Sequence, residues 1–276
     1  MLLNSAVQTL LLLDTYLQLH GEHVFIPLSK DSNFTEPETE PVTSHLHLQD
    51  ESKCLKYHNV TDTPNLSQTD ITRYKEEGEE TLQQVQKLWE ESKAWEFEGG
   101  NFKHGEIFRS NQDDQDIYAV VLRFPLSPCK LANILFSDQE KVAEWNNELE
   151  EVNVIAQLDK NLSITHGVST DYPMIAVREF VDLNLVGNIG NAYFHVFKSV
   201  DYPLPVASGR IRATNNPSGF LLQPIQTRTG TECKMTWILN TDYKLNSFVQ
   251  MIADMRFAQK LNATIDGIKK YVNENS

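Results

Sequence analysis

The sequence predicts an α+β fold in which a curved antiparallel sheet closes around a long C-terminal amphipathic helix. Two observations carry that prediction. From His104 to Asp242, nine runs rich in β-branched and aromatic residues, among them "DIYAVVLRFPL", "AVREFVDLNLV" and "TECKMTWILNTD", are separated by turn signals such as "DKN", "GNIGN" and "RTGT". That is the punctuation of hairpins rather than of strand-helix-strand units. Leu245, Phe248, Ile252, Met255, Leu261, Ile265, Ile268 and Val272 then form one apolar stripe at helical spacing. One helix cannot cover both faces of so large a sheet, so an enclosed, mostly apolar space is expected between the two.

In chain order, residues 1–27 are a short apolar segment. It lacks a basic start, and Asp14 interrupts its apolar run well short of the ~20 residues of a bilayer span, so neither a signal peptide nor a membrane helix is expected. Residues 28–68 are rich in Pro, Thr, Ser and acidic side chains without apolar period, the composition of a disordered linker. The ordered domain is expected over 69–276. Asp70 is a plausible cap for a helix of about six turns, because Ile71, Tyr74, Gly78, Leu82, Val85 and Leu88 or Trp89 recur at three-and-four spacing. The strand runs follow, and "SPCKLANILFSDQEKVAEWNN", between the second and third of them, reads as one or two short helices. In the last strand Cys233, Met235, Trp237 and Leu239 share one face and Thr236, Ile238 and Asn240 the other. Core packing is the expected role of Met235 and Trp237, and alternation alone does not say which face meets the cavity.

The chain has 276 residues and a net charge of −14. Residues 31–100 hold 16 acidic against 6 basic side chains, which accounts for −10 of it. Nucleic acid is therefore not an expected partner, since phosphate affinity comes from clustered Lys and Arg. Cys54, Cys129 and Cys233 are odd in number and widely spaced, matching neither a disulfide framework nor a zinc site, which suggests a reducing compartment. The sequons at Asn33 and Asn59 are short enough to arise by chance in a polar linker. His45 and His47 stand without further ligands, so no metal and no cofactor is expected. His166 with Asp171 could suggest acid-base chemistry, but no G-x-S-x-G nucleophile motif accompanies them and no enzyme is expected.

Six short motifs add to this reading: "YKEEGEE" at Tyr74, "EWNN" at Glu144, "ITHG" at Ile164, "VREFVDL" at Val177, "NNPSGF" at Asn215 and "MTWILNTDYK" at Met235. Each is weak alone, but in this order and spacing they resemble the StAR-related lipid transfer (START) domain family. Within it the chain is most similar to the sterol-binding branch, that of the steroidogenic acute regulatory protein. The likeness runs from about Thr69 to Val272. It implies a helix-grip fold, a nine-stranded antiparallel sheet around the C-terminal helix and a cavity for one lipid.

Carried over residue by residue, the resemblance places Trp145, Asn146 and Val142 at the cavity wall, with Arg178 and Phe180 on one strand face. Arg178 serves equally as a structural ion-pairing residue. His166, Asn184 and, on the last helix, Phe248, Ile252 and Met255 complete the expected lipid site. One departure matters. The resemblance implies a buried acid-base pair in sterol binders, and here its two positions are Gly167 and Asn184. Their joint loss is what partnership predicts, because a lone buried charge is costly. The expected ligand is thus a sterol, another isoprenoid-like lipid or a fatty lipid, with Asn184 as a hydrogen-bond handle.

The expected activity is transfer of that lipid between intracellular membranes by a cytoplasmic protein, peripheral at organelles. Transient membrane contact is expected through the C-terminal helix, near Lys269 and Lys270, and the loop near Pro203–Gly209, whose Pro and Gly content suits a gate. A lipid-responsive sensor or scaffold that does not transport is the alternative.

Overall fold

The computed structural model describes residues 54–55, 66–101, 104–112, 115–172, 175–228 and 230–276, except for the side chains of 248, 251–256, 258 and 259. Residues 1–27, most of 28–68, His45, His47 and both sequons lie outside the described residues. All that is described falls within one unit, Leu46–Ser276.

The first helix, α1 (Gln68–Glu91), starts at Ser67 rather than Asp70. Ser67 Oγ accepts from the Asp70 N–H, and the Asp70 carboxylate accepts from the Ser67 N–H. This reciprocal pair satisfies two otherwise orphaned donors. The predicted stripe holds, with Tyr74, Gly78, Leu82, Val85 and Trp89 buried. Three strands follow, β1 (Glu96–Asn101), β2 (Gly105–Gln112) and β3 (Gln115–Phe124). Two short helices, α2 (Pro128–Phe136) and α3 (Val142–Trp145), occupy the stretch predicted for them. Then come β4 (Leu149–Asp159), β5 (Leu162–Ser169), β6 (Arg178–Ile189) and β7 (Ala192–Ser199). Two-residue strands β8 (Ile211–Arg212) and β9 (Thr214–Asn215) precede β10 (Ser218–Thr227), β11 (Gly230–Leu239) and β12 (Thr241–Asp242). The last helix, α4, spans Ser247–Glu274.

The sheet runs β1-β2-β3-β11-β10-β7-β6-β5-β4, with every neighbouring pair antiparallel. These nine strands are the predicted number with one exchange. Of the run "GRIRAT" only β8 meets this sheet, parallel to β6 at Arg178 and Glu179, while β1 joins at the edge. Strand β1, "EFEGGN", is mostly exposed and offers little apolar alternation to read.

The two sheet faces bury different clusters. One packs α1, through Tyr74, Leu82, Val85 and Trp89, against Ile164, Leu183, Phe194 and Ile238. The other packs α2, Trp145 and the second half of α4 against Phe220, Met235 and Trp237. The α4 side comes very close at Gly267, where an added Cβ would lie 2.3 Å from the Trp145 carbonyl oxygen. Only hydrogen fits there.

The reading of the cysteines is corrected. Cys54 and Cys129, 75 residues apart in sequence, are joined by a disulfide. Cys54 and Leu55 are buried, Leu55 within the α4-side cluster. Separation along the chain carries no information about this pairing, because the fold brings their Cα atoms to 5.7 Å. Cys233 is free and buried, and burial pushes its thiol up to about 12 against a backbone hydrogen bond from Gln223. It is therefore a poor nucleophile. Iodoacetamide should label no cysteine in the native protein, Cys233 alone after unfolding without reductant, and all three after reduction. Mass spectrometry reads the count, and three labels without reductant would refute the pairing.

Candidate functional site

Alternation along β5 and β6 turns Thr165, Gly167, Arg178, Phe180, Asp182 and Asn184 to the α4 side, where they line a cavity of about 240 Å³. This is near the lower end of ligand pockets, at about 300 Å³. Adjacent strands add His195, Phe197, Phe220, Trp237 and Leu239, and α4 contributes Phe257, Lys260, Leu261 and Thr264. The face of β11 left open by the sequence is thus decided: Trp237 and Leu239 look into the cavity, while Ile238 packs under α1.

Of the residues expected at the site, Val142, Trp145, Asn146, Arg178, Phe180 and Asn184 line the cavity. Gly167 and Asn184, the two positions compared with an acid-base pair, both face it. His166 does not. Strand alternation turns it to the opposite face, where its Nε2 lies 3.5 Å from Glu179 Oε2. The side chains of Phe248, Ile252 and Met255 lie outside the described ones. His195, Asp182 and Trp237 were missed. Period-two stepping from Arg178 through Phe180 would have found Asp182; His195 needed the pairing of β6 with β7.

At Asn184 the cavity has a corner of neutral hydrogen-bonding groups. Asn184 Nδ2 donates to Thr165 Oγ1 and to the Asp182 carbonyl, each at 2.9 Å. With both amide hydrogens used, its Oδ1 faces His195 Nε2 at 2.9 Å. An amide oxygen only accepts, so Nε2 carries the imidazole proton and Nδ1 keeps its lone pair. Burial pushes His195 down to about 4, which keeps the ring neutral at physiological pH. Beside it, the Asp182 carboxyl accepts from Ser199 Oγ and Asn215 Nδ2, each at 2.7 Å. Burial outweighs both bonds and the nearby Arg212 charge, and raises Asp182 to about 6.

Arg178 Nε donates to the Tyr243 carbonyl at 3.0 Å, and its terminal nitrogens donate to the carbonyls of Ala176 and Lys244. The guanidinium thus fastens the segment entering α4 and also lines the cavity, holding carbonyls rather than the ion-pair partner considered for it. Burial lowers its pKa. A second fastening joins α4 to the rim. Lys260 Nζ lies 3.0 Å from Glu148 Oε2 and 3.7 Å from the centre of the Tyr172 ring, and Tyr172 Oη donates to Glu148 Oε1 at 3.0 Å. Thr264 Oγ1 donates to Asn147 Oδ1 at 2.9 Å. Lys269, considered for membrane contact, donates to the His104 carbonyl at 2.8 Å.

The loop near Pro203–Gly209 does not line the cavity. Tyr202 and Leu204 pack in the α1-side cluster, and the Ala207 N–H donates to Glu179 Oε2 at 3.4 Å. The buried carboxylate at the start of β6 draws the loop to that face.

A curved antiparallel sheet holding a long C-terminal helix over an apolar cavity with a few inward polar groups defines the class of helix-grip ligand-binding domains. The chain belongs to the START domain family, whose model matches residues 75–256. Domains of this family in general bind and transfer lipids and are non-enzymatic. Among curated proteins the chain is 24% identical over 176 residues to the mitochondrial steroidogenic acute regulatory protein of Danio rerio, covering 62% of this chain and 61% of that one. It is 30% identical over 115 residues to human StAR-related lipid transfer protein 6, covering 40% and 52%. The matches span about three-fifths or less of those relatives' lengths. Among solved structures, human StAR-related lipid transfer protein 5 superposes with a TM-score of 0.65 at 16% identity, covering 74% of this chain and 98% of that one. Human STARD10 superposes with a TM-score of 0.55 at 15% identity, covering 77% and 84%. Among the described residues no helix is long and apolar enough to cross a membrane.

Proposed function

We propose that residues 69–276 bind one lipid of sterol-like character in the cavity beneath α4 and carry it between membranes. The single observation behind this reading is a cavity walled by Phe180, Phe197, Phe220, Leu239 and Leu261 whose polar corner, Asn184 and His195, is neutral. A lipid in water loses about 0.8 kcal/mol for each CH₂ it cannot bury, so an apolar enclosure lowers the cost of crossing. Val142, Trp145, Asn146, Arg178, Phe180 and Asn184 are the proposed contacts, joined by His195.

The proposed membrane-touching end is the one at Arg178. Ile211 pairs with Arg178, whose guanidinium holds the Tyr243 carbonyl, and Val206, Ile211 and Tyr243 are all exposed. Tyr243 also borders the cavity, which supports lipid passage there with movement of the first part of α4. The cysteine argument for a reducing compartment is withdrawn, because disulfides persist in oxidising ones.

Native mass spectrometry after incubation with a mixed lipid extract, followed by transfer from donor to acceptor vesicles, tests the reading. One lipid per chain and its delivery to acceptors are expected. Lipid held without delivery would make the protein a sensor, and no bound lipid from any extract would remove the cavity reading.

A further inference from the structure

Trp237 lines the cavity at 5% exposure, and its Nε1–H is buried with no hydrogen-bond partner. Native interiors rarely leave such a donor unpaired, and an indole N–H can only donate. Its ring stacks on Phe220 at 5.1 Å with 21° between the planes. The in-plane N–H is therefore not spent on the Phe220 π face. Phe220 opposes Trp237 on one side and His195 on the other, and β6 with Asn184 pairs with β7, which places the donor and the neutral Asn184–His195 corner on the same face of four adjacent strands.

We propose that Trp237 Nε1–H is the ligand's polar anchor, donating to one uncharged oxygen, a hydroxyl or carbonyl, on an otherwise apolar lipid. A charged headgroup would need a counter-charge. The indole N–H itself carries no charge; of the cavity's charged groups, Lys260 and Glu148 pair with each other, Asp182 accepts from Ser199 and Asn215, and the donors of Arg178 are taken by backbone carbonyls, which occupy them without cancelling the charge. This assignment rests on the reading of the cavity as a lipid site, and it names the chemical group that the site selects.

The test uses the full chain labelled with ¹⁵N-tryptophan and two matched pairs of probes: cholesterol with its analogue lacking the hydroxyl, and octadecanol with octadecane. Trp237→Phe assigns the indole resonance. The oxygenated member of a pair that binds should shift that resonance and slow exchange of its proton, while the hydrocarbon leaves both unchanged. Wild type should prefer the oxygenated member by roughly tenfold, and Trp237→Phe should bind both within about twofold. A lipid, from these pairs or an extract, that fills the cavity yet leaves the Trp237 resonance and exchange unmoved overturns the anchor and spares the lipid site. Failure of every probe and every extract to bind overturns the lipid site itself.

Discussion

Replacing Arg212 by methionine is expected to lower the unfolding free energy by about 3 kcal/mol at neutral pH, the lower end of the range for breaking a buried ion pair. Its partner Glu179 is 1% exposed on β6. Arg212 Nη2 and Nε reach Glu179 Oε1 at 2.6 and 3.1 Å. Burial would raise the Glu179 pKa, but these bonds, the Ala207 N–H and the charges of Arg212 and His166 hold it below the ordinary value. Without Arg212 the carboxylate is left to the more distant Arg210, at 3.9 Å, and the Ala207 N–H, at 3.4 Å. That residual compensation sets the estimate at the lower end.

Because Arg212 Nη2 also donates to the Leu204 carbonyl, limited proteolysis should begin within residues 201–210 of the variant. Adding Glu179→Gln should restore more than half of the loss, since the unpaired charge is then gone. A depressed carboxylate stabilises fully above its unfolded value, and that contribution disappears as the pH falls through the lower folded one. The Arg212→Met penalty should therefore shrink in acid, below the ordinary glutamate value of 4.5. Urea unfolding measures all three, and a loss under 1 kcal/mol at pH 7 would deny the pair its role.

Asp182 and His195 should pull stability in opposite directions over nearly the same acid range. Asp182 rises from 3.8 to about 6, so between those values the folded state holds the extra proton and stability grows as the pH falls. His195 drops from 6.5 to about 4, so there the unfolded state holds the extra proton and stability declines as the pH falls. Each shift is worth about 3 kcal/mol, so the two largely cancel in the wild type. Asp182→Asn leaves the histidine term alone, and the variant should lose about 3 kcal/mol relative to wild type on going from pH 7 to pH 4. His195→Gln leaves the carboxyl term and should gain a similar amount over the same range. Parallel profiles for wild type and both variants would show that neither group titrates as its burial requires.

Much of the architecture could be read from local pattern. The α1 stripe, the strand runs from β2 onward, the two short helices and the α4 stripe each repeat at the period of the element they form. The misses have physical causes. Ser67 rather than Asp70 caps α1, because a capping box places its acid three residues inside the cap. Strand β1 has almost no buried face to leave a pattern, and the run at β8 meets only two residues of β6. At the site, Trp145, Asn146, Phe180 and Asn184 were legible through the family likeness, whereas His195 had no motif to carry it.

The sequence by itself determined the α+β class, the order of elements and the family. These are properties of residue type and short-range period. Only the tertiary structure decided that Trp237 faces inward, that His166 faces outward, that His195 meets Asn184, and that Cys54 joins Cys129. A period of two says which side chains share a face but not which face is buried against what. Contacts between residues far apart in sequence follow from strand register and helix placement, and no local pattern records them.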